Sequence, residues 1–312
     1  MQAVVTGGAG FIGSHLVDAL VGDGHRVTVI DDLSSGEGRR IHREAQLCEL
    51  DIVDRARLED AIERAAPEAI YHLAAQASVT ASVKDPARDC AVNVQGTLNV
   101  VDVASRLGVP VVFTSTGGAL YGDDAPLPTA EDFIPAPLSP YGASKWAAES
   151  YVGTWARASG VPHAICRLGN VYGPRQNPHG EAGVVAILSL HLHAGTTPTL
   201  YGHGTPTRDY IHVDDVVRAL LVAHGRAGTF NIATGVESDV SIVWEHLREV
   251  ADSQIEPQLA DLRAGELERS RLDVSHAARE LGWTAQVPLR EGLRQTYRAL
   301  VAEFERAASA AR

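Results

Sequence analysis

Short, nearly unbroken apolar runs alternate along this chain with longer stretches whose apolar residues recur at helical spacing. Gln2 to Thr6 (QAVVT) is a run of the first kind. Phe11, Ile12, Leu16, Val17 and Leu20 then share one helical face until Gly22 and Gly24 interrupt it. HRVTVIDD, ending at Asp32, is alternating and β-branched, as a strand requires. The same signals predict strands within 45–52, 68–77, 109–116 and 161–173, and helices over about 55–65, 87–107 and 141–159. Apolar strands each followed by a helix predict an α/β protein built on a Rossmann-type doubly wound parallel sheet.

After "GNVYGPRQNPHGEAG" the pattern loosens, and Pro174, Pro178 and several glycines mark the exit to a smaller, mixed α/β lobe. Thr207 to His224 reads as a short strand and an amphipathic helix, and GTFNIAT as a return to the sheet. The predicted division is a dinucleotide-binding domain at 1–169, also receiving about 211–235 and the C-terminal helix at about 289–306. The second lobe takes 170–210 and 236–288. No internal repeat is present.

Composition narrows the function. With 312 residues, 45% of them apolar, the chain can bury a sizeable core. A net charge of -12 without a basic block argues against a nucleic-acid or anionic-membrane partner. Cys48, Cys90 and Cys166 are odd in number and widely spaced, suggesting neither a disulfide framework nor a metal site. No segment approaches the roughly 18 apolar residues of a membrane span, and a cytoplasmic protein is expected.

The first strand runs into Gly7-Gly8-Ala9-Gly10-Phe11-Ile12-Gly13, which satisfies both GxGxxG and GxxGxxG. Such glycines permit a tight turn, close approach of a pyrophosphate to backbone, and close helix–strand packing. The following helix offers free N–H groups and partial positive charge to phosphates. Asp31 closes the next strand, where a carboxylate can accept both hydroxyls of an adenosine ribose and would repel a 2′-phosphate. NAD is therefore expected, despite Arg39 and Arg40 further on. A second pattern is the pair Tyr141 and Lys145 in SPYGASKWAAE. Only two of the 27 basic residues are lysines, Lys84 and Lys145. At i and i+4 on a helix, an ammonium beside a phenol, together with the positive nicotinamide of NAD⁺, favours the phenolate, and a slim ammonium also leaves room to bond a nicotinamide ribose.

TGGAGFIG, the Thr114-Ser115-Thr116 cluster closing a strand, YxxxK and RDYIHVDD together resemble the extended short-chain dehydrogenase/reductases. Within them, STGGALYG and NVYGPRQNPHGEAGVV look like the nucleotide-sugar epimerases of the UDP-glucose (UDP-galactose) 4-epimerase type, over nearly the whole chain to about Gly292. That resemblance implies that Tyr141, as phenolate, takes the sugar 4-hydroxyl proton while C4 gives hydride to NAD. The 4-ketose turns over in the pocket and hydride returns to its other face. Thr116 matches the catalytic hydroxyl, although the extra glycine in TGGALYG leaves Ser115 and Thr116 both open. By motif matching, Gly7, Gly10, Phe11, Ile12, Gly13, Asp31, Asp51, Ile52, Ala74, Lys84, Asn93, Ser115, Tyr141 and Lys145 would contact the cofactor. Thr116, Asn170, Arg208 and Arg263 would hold the UDP-sugar, with Tyr201 flanking uracil and Asp273 on its ribose. Ser270 matches a gatekeeping position, where a small residue is expected to admit N-acetylhexosamine nucleotides. The resemblance also implies a homodimer joined through the 87–107 and 141–159 helices.

Three rivals follow from the same residues. A nucleotide-sugar 4,6-dehydratase needs an Asp-Glu pair directly after the catalytic threonine, where this chain has Gly117 and Gly118. A UDP-glucuronate 4-epimerase or decarboxylase would differ only by a carboxylate-binding group. A non-catalytic NAD-binding sensor would lack the Tyr/Lys/hydroxyl set, which is complete here.

Overall fold

The computed structural model describes residues 1–178, 183–263 and 267–310. Its strands are β1 (Gln2–Thr6), β2 (Arg26–Asp31), β3 (Gln46–Glu49), β4 (Ala69–His72), β5 (Val111–Thr116), β6 (Ala164–Leu168), β7 (Asn170–Tyr172), β8 (Thr199–Tyr201), β9 (Thr207–His212), β10 (Gly228–Ile232), β11 (Glu237–Asp239) and β12 (Gln258–Ala260). Its helices are α1 (Phe11–Gly22), α2 (Arg55–Ala65), α3 (Val79–Lys84), α4 (Pro86–Cys90), α5 (Thr97–Leu107), α6 (Pro140–Ser159), α7 (Val184–Ala194), α8 (Val213–Ala223), α9 (Val240–Val250), α10 (Ser275–Leu281) and α11 (Leu289–Ala310). Seven strands form one parallel sheet in the order β10-β6-β5-β4-β1-β2-β3. The order reverses between β1 and β4, the place where such sheets open a crevice for ligands. The doubly wound sheet expected from the sequence is thus present. Among the described residues no helix is long and apolar enough to cross a membrane.

Burial on both faces explains the unbroken apolar strands. On one face Leu16, Val17 and Leu20 of α1 meet Val216, Val217 and Leu220 of α8 in the same core as Val5 and Val29. On the other, Leu58 and Ile62 of α2, Val100 and Val103 of α5, and Ala148 and Val152 of α6 cover Val4, Ile70 and Phe113. Local chemistry sets the helix ends. Ser139 accepts the Gly142 N–H and Pro140 opens α6, which closes on left-handed Gly160. The long helix expected over 87–107 is present from Pro86 to Leu107, with a π-helical turn at Ala91–Gly96 between α4 and α5. The Thr97 hydroxyl donates to the Asn93 carbonyl at 2.6 Å, the i to i−4 bond that Ser150 and Thr154 also make in α6.

Packing also departs from the predicted division of the chain. The C-terminal helix α11, expected on the nucleotide-type sheet, sends Leu293 and Tyr297 into a third core with Leu188, Leu192, Val243, Trp244 and Leu247 of α7 and α9. Conversely, Ala277 and Leu281 of α10 and Trp283, expected in the second lobe, pack in the α1–α8 core. Amphipathic spacing identifies the face a helix buries but carries no information about the surface that receives it.

Asp215 fastens these last elements. Its fully buried carboxylate accepts the Gln286 and Val287 N–H groups at 2.9–3.1 Å and the Arg218 guanidinium. Asp215→Ala strands those donors and should cost about 3–5 kcal/mol of unfolding free energy. Urea denaturation checks this, and a loss under 1 kcal/mol would contradict it.

Candidate functional site

The loop between β1 and α1 is shaped by contacts that exclude side chains. Gly7 has φ +72°, and a Cβ there would lie 2.6 Å from Ala74 N; a Cβ on Gly13 would lie 2.1 Å from the Gly7 carbonyl oxygen. Gly10 precedes α1 without any side-chain cap, so the first-turn N–H groups remain available to an anion. Ile12 packs against the core behind this loop. In front lies a cleft of 530 Å³ at the sheet's carboxyl edge. It is lined by Gly10, Phe11, Asp31, Asp51, Ile52 and Ala74, all expected there, and also by Gln76, Arg40 and Arg88.

Asp31 is nearly buried. Its two oxygens accept the Ala9 and Leu33 N–H groups at 2.9 Å, while burial moves its pKa upward against those bonds. Each oxygen keeps a further lone pair for a ribose hydroxyl. Asp51 accepts the Val53 N–H and an Arg88 N–H at 2.9 and 3.0 Å. Lys84 ends α3 exposed and does not line this cleft. Asn93 also differs from expectation. Its amide is occupied within the protein, bonding both the N–H and the carbonyl of Gln76 at 2.9 Å, together with Asp89 and Ser144. Asn93 therefore holds the Gln76 backbone at the cleft wall.

Thr97 also fixes a histidine. It gives its hydroxyl proton to the Asn93 carbonyl, so it can only accept from His72 Nε2, 3.0 Å away. His72 Nδ1 must then accept from the Thr6 hydroxyl at 2.7 Å. Burial, and secondarily the Lys145 charge, pushes His72 down to about 3, so the ring is neutral.

Beside it, Thr116, Tyr141 and Lys145 come together where β5 ends against α6. The Thr116 hydroxyl is close enough to the Tyr141 phenol to lower its pKa. Ser115 Oγ is buried without a hydrogen-bond partner among the described residues. Lys145 is only 3% exposed, with Nζ 4.5 Å from the centroid of the Phe113 ring. Burial pushes the Tyr141 phenol up to about 12, opposed by the Thr116 hydroxyl and reinforced by Asp89. Lys145 is pushed down to about 8 by burial, opposed by Glu149 and Asp89. The protein's own groups therefore do not ionise the phenol, because desolvation outweighs what its neighbours supply.

The remaining expected residues fall around the mouth. Asn170 opens β7 with Oδ1 buried and unpartnered among the described residues, 3.3 Å from where a Gly118 Cβ would stand. Ser270, 8% exposed, shares a small cavity with Gly117, Gly118, Tyr121 and Leu272. Arg263 stacks its guanidinium 3.7 Å from the Tyr201 ring centroid, and Arg208 donates to the Thr207 carbonyl. Asp273 is engaged otherwise: its carboxylate accepts the Ser275 N–H at 2.8 Å beside the start of α10, which lowers its pKa. Residues 179–182 of the NVYGPRQNPHGEAGVV motif and 264–266 of LRAGEL lie outside the described residues. Sequence reasoning missed Gln76 and Asp89. A polar glutamine amid the small residues of HLAAQAS was the available signal for the first. Nothing marked Asp89, which looks like one charge in a helix yet is 1% exposed with Oδ2 unpartnered among the described residues.

Comparison with known proteins agrees with this geometry. The NAD dependent epimerase/dehydratase family matches residues 3–233. A UDP-glucose 4-epimerase of Mycolicibacterium smegmatis is 46% identical over 305 residues, 95% of this chain and 97% of that protein. The crystal structure of a Thermotoga maritima UDP-glucose 4-epimerase with UDP-glucose superposes with a TM-score of 0.95 at 43% identity, covering 97% of this chain and 100% of that one. A Thermus thermophilus UDP-glucose 4-epimerase in complex with NAD gives 0.89 at 40% identity, covering 96% and 99%. With the matched stretch spanning its glycine loop, carboxyl-edge cleft and Thr/Tyr/Lys cluster, the chain belongs to the NAD dependent epimerase/dehydratase family.

Proposed function

We propose that this protein is an isomerase that interconverts UDP-hexoses at C4, with UDP-glucose and UDP-galactose as its pair. The observation that carries this reading is the grouping of the Thr116 hydroxyl, the buried Tyr141 phenol and the buried Lys145 ammonium where β5 ends against α6. The residues fit a dinucleotide. Gly7, Gly10 and Gly13 leave backbone free for a pyrophosphate, Asp31 offers lone pairs to a ribose, and Phe11, Asp51, Ile52 and Ala74 wall the cleft. The orphaned Ser115 hydroxyl is left over to bond the cofactor. When bound, NAD supplies the reversible oxidation of the sugar at C4.

The chain's own part is to move a proton and hold the ring. Once positive charge beside it has ionised the phenol, Tyr141 accepts the 4-hydroxyl proton at its phenolic oxygen, with Thr116 relaying it, and returns it when the inverted product forms. Lys145, held out of water, orients the nicotinamide ribose and biases the phenol toward ionisation once both are enclosed. Asn170, Arg208 and Arg263 grip the nucleotide, with Tyr201 beside the base. Asp273, whose carboxylate is tied to Ser275, contributes to that grip only with its second oxygen. Lys84 and Asn93 act at one remove from the cofactor. We further propose galactose metabolism as the setting and a homodimer through α5 and α6, on whose exposed face Trp146 and Tyr151 lie.

Tyr141→Phe should lower kcat about 10²–10⁴-fold while purified protein keeps its NAD. Lys145→Ala should lower both turnover and NAD content. Product formation from a panel of UDP-sugars, followed by proton NMR, tests this. Near-normal turnover in Tyr141→Phe would overturn the assignment. Ser270, small beside Gly117 and Leu272, should admit a 2-acetamido group. Ser270→Tyr is then expected to suppress turnover of UDP-N-acetylglucosamine at least tenfold relative to UDP-glucose. An unchanged ratio removes Ser270 from specificity.

A further inference from the structure

A buried polar chain runs from the catalytic helix to the segment bearing Ser270, and the reaction as derived does not use it. It begins at Glu149, one turn beyond Lys145 on α6. Arg167 of β6 binds both Glu149 oxygens, with Nε at 3.1 Å from each and Nη2 at 2.7 Å from Oε2; the two side chains are 7% and 5% exposed. Arg167 Nη1 donates to the Tyr121 phenolic oxygen at 2.7 Å and to the Glu131 carbonyl at 2.9 Å. Since that phenol receives an arginine N–H, its own proton goes to Asn231 Oδ1, 3.0 Å away. Asn231, fully buried in β10, donates Nδ2 to the carbonyls of Thr129 and Asp273 at 3.0 Å and its N–H to Glu131 at 2.7 Å. Those two carbonyls belong to the short pairing of Thr129 with Leu272, closed by Thr129 N–H to Arg271 O and Asp273 N–H to Thr129 O at 2.9 Å.

Stability alone does not call for this arrangement. A buried ion pair is often no more stabilising than apolar residues of the same volume, whereas a fully satisfied polar network admits a single register. Every link here is saturated, and the far end holds the segment whose Ser270 and Leu272 wall the cavity beside Gly117 and Gly118. We propose that Tyr121 and Asn231 are positioning residues that fix the 270–273 segment against the catalytic helix and thereby set how tightly the nucleotide sugar is held. The inference rests on the epimerase reading above.

Tyr121→Phe tests it, because the ring stays under the Arg167 guanidinium while the shared hydroxyl is lost. One net hydrogen bond predicts a KM for UDP-glucose and a Kd for UDP, the latter by calorimetry, both raised about fivefold to tenfold, with a smaller fall in kcat and unaltered NAD content. Asn231→Ala should move the same two constants further. Variants with a lowered Tm but wild-type KM and UDP affinity would make the chain purely structural and overturn the proposal. A wild-type protein that binds no UDP would instead sink the epimerase reading, and this inference with it.

Discussion

Desolvation of two ionisable side chains is the constraint around which this site is arranged. Tyr141 and Lys145 must share a face of α6 to act together, and the fold covers both. Burial penalises the charged form of each, so the phenol rises and the ammonium falls from 10.5 to about 8, a cost on the order of 3 kcal/mol for the lysine. Exposed to water, the pair would be cheap to charge but too weakly coupled to tune one another. The surrounding carboxylates reflect this balance. Glu149 and Asp89 favour the ammonium, while Asp89 disfavours the phenolate. The protein thus keeps the lysine charged at neutral pH and leaves the tyrosine protonated until further positive charge is brought beside it.

The buried histidine serves the same constraint. Thr97, whose proton goes to the Asn93 carbonyl, and Thr6 fix His72 as a neutral ring between two hydroxyls, so it adds no second cation beside Lys145. The Asn93 amide meanwhile joins α6, through Ser144, to the Gln76 backbone at the cleft wall. Catalytic helix and cofactor cleft are therefore tied to one another through Asn93, beside the bond from Tyr141 N–H to Ser82.

Much of this was legible in the chain. Strand and helix alternation gave the parallel sheet, because fully buried strands must be apolar on both faces, and the glycine loop identified its own location. Tyr141 and Lys145 were legible as a pair since their spacing, i and i+4, is local, whereas the strand-end hydroxyls Ser115 and Thr116 stayed alternatives. What was not legible depends on long-range packing. The receiving surfaces of α10 and α11, the inward turn of Asp89, the diversion of Asn93 to Gln76 and the tie of Asp273 to Ser275 all follow from contacts that no periodicity encodes. The depth at which the phenol is buried was not legible either: the i, i+4 ammonium is visible in sequence, but the desolvation that opposes ionisation is not.

The diglycine after Thr116 shows how one local feature can bear on the chemistry. A Cβ on Gly117 would stand 2.4 Å from Leu272 Cδ1, and one on Gly118 would crowd Asn170 Oδ1 at 3.3 Å. An Asp-Glu pair, which elimination of water from the sugar would need, could enter only if the Leu272 and Asn170 side chains gave way. Close packing of the Thr116 loop on Leu272, in the segment that Asn231 holds in register, therefore favours glycine at 117 and leaves no acid or base there.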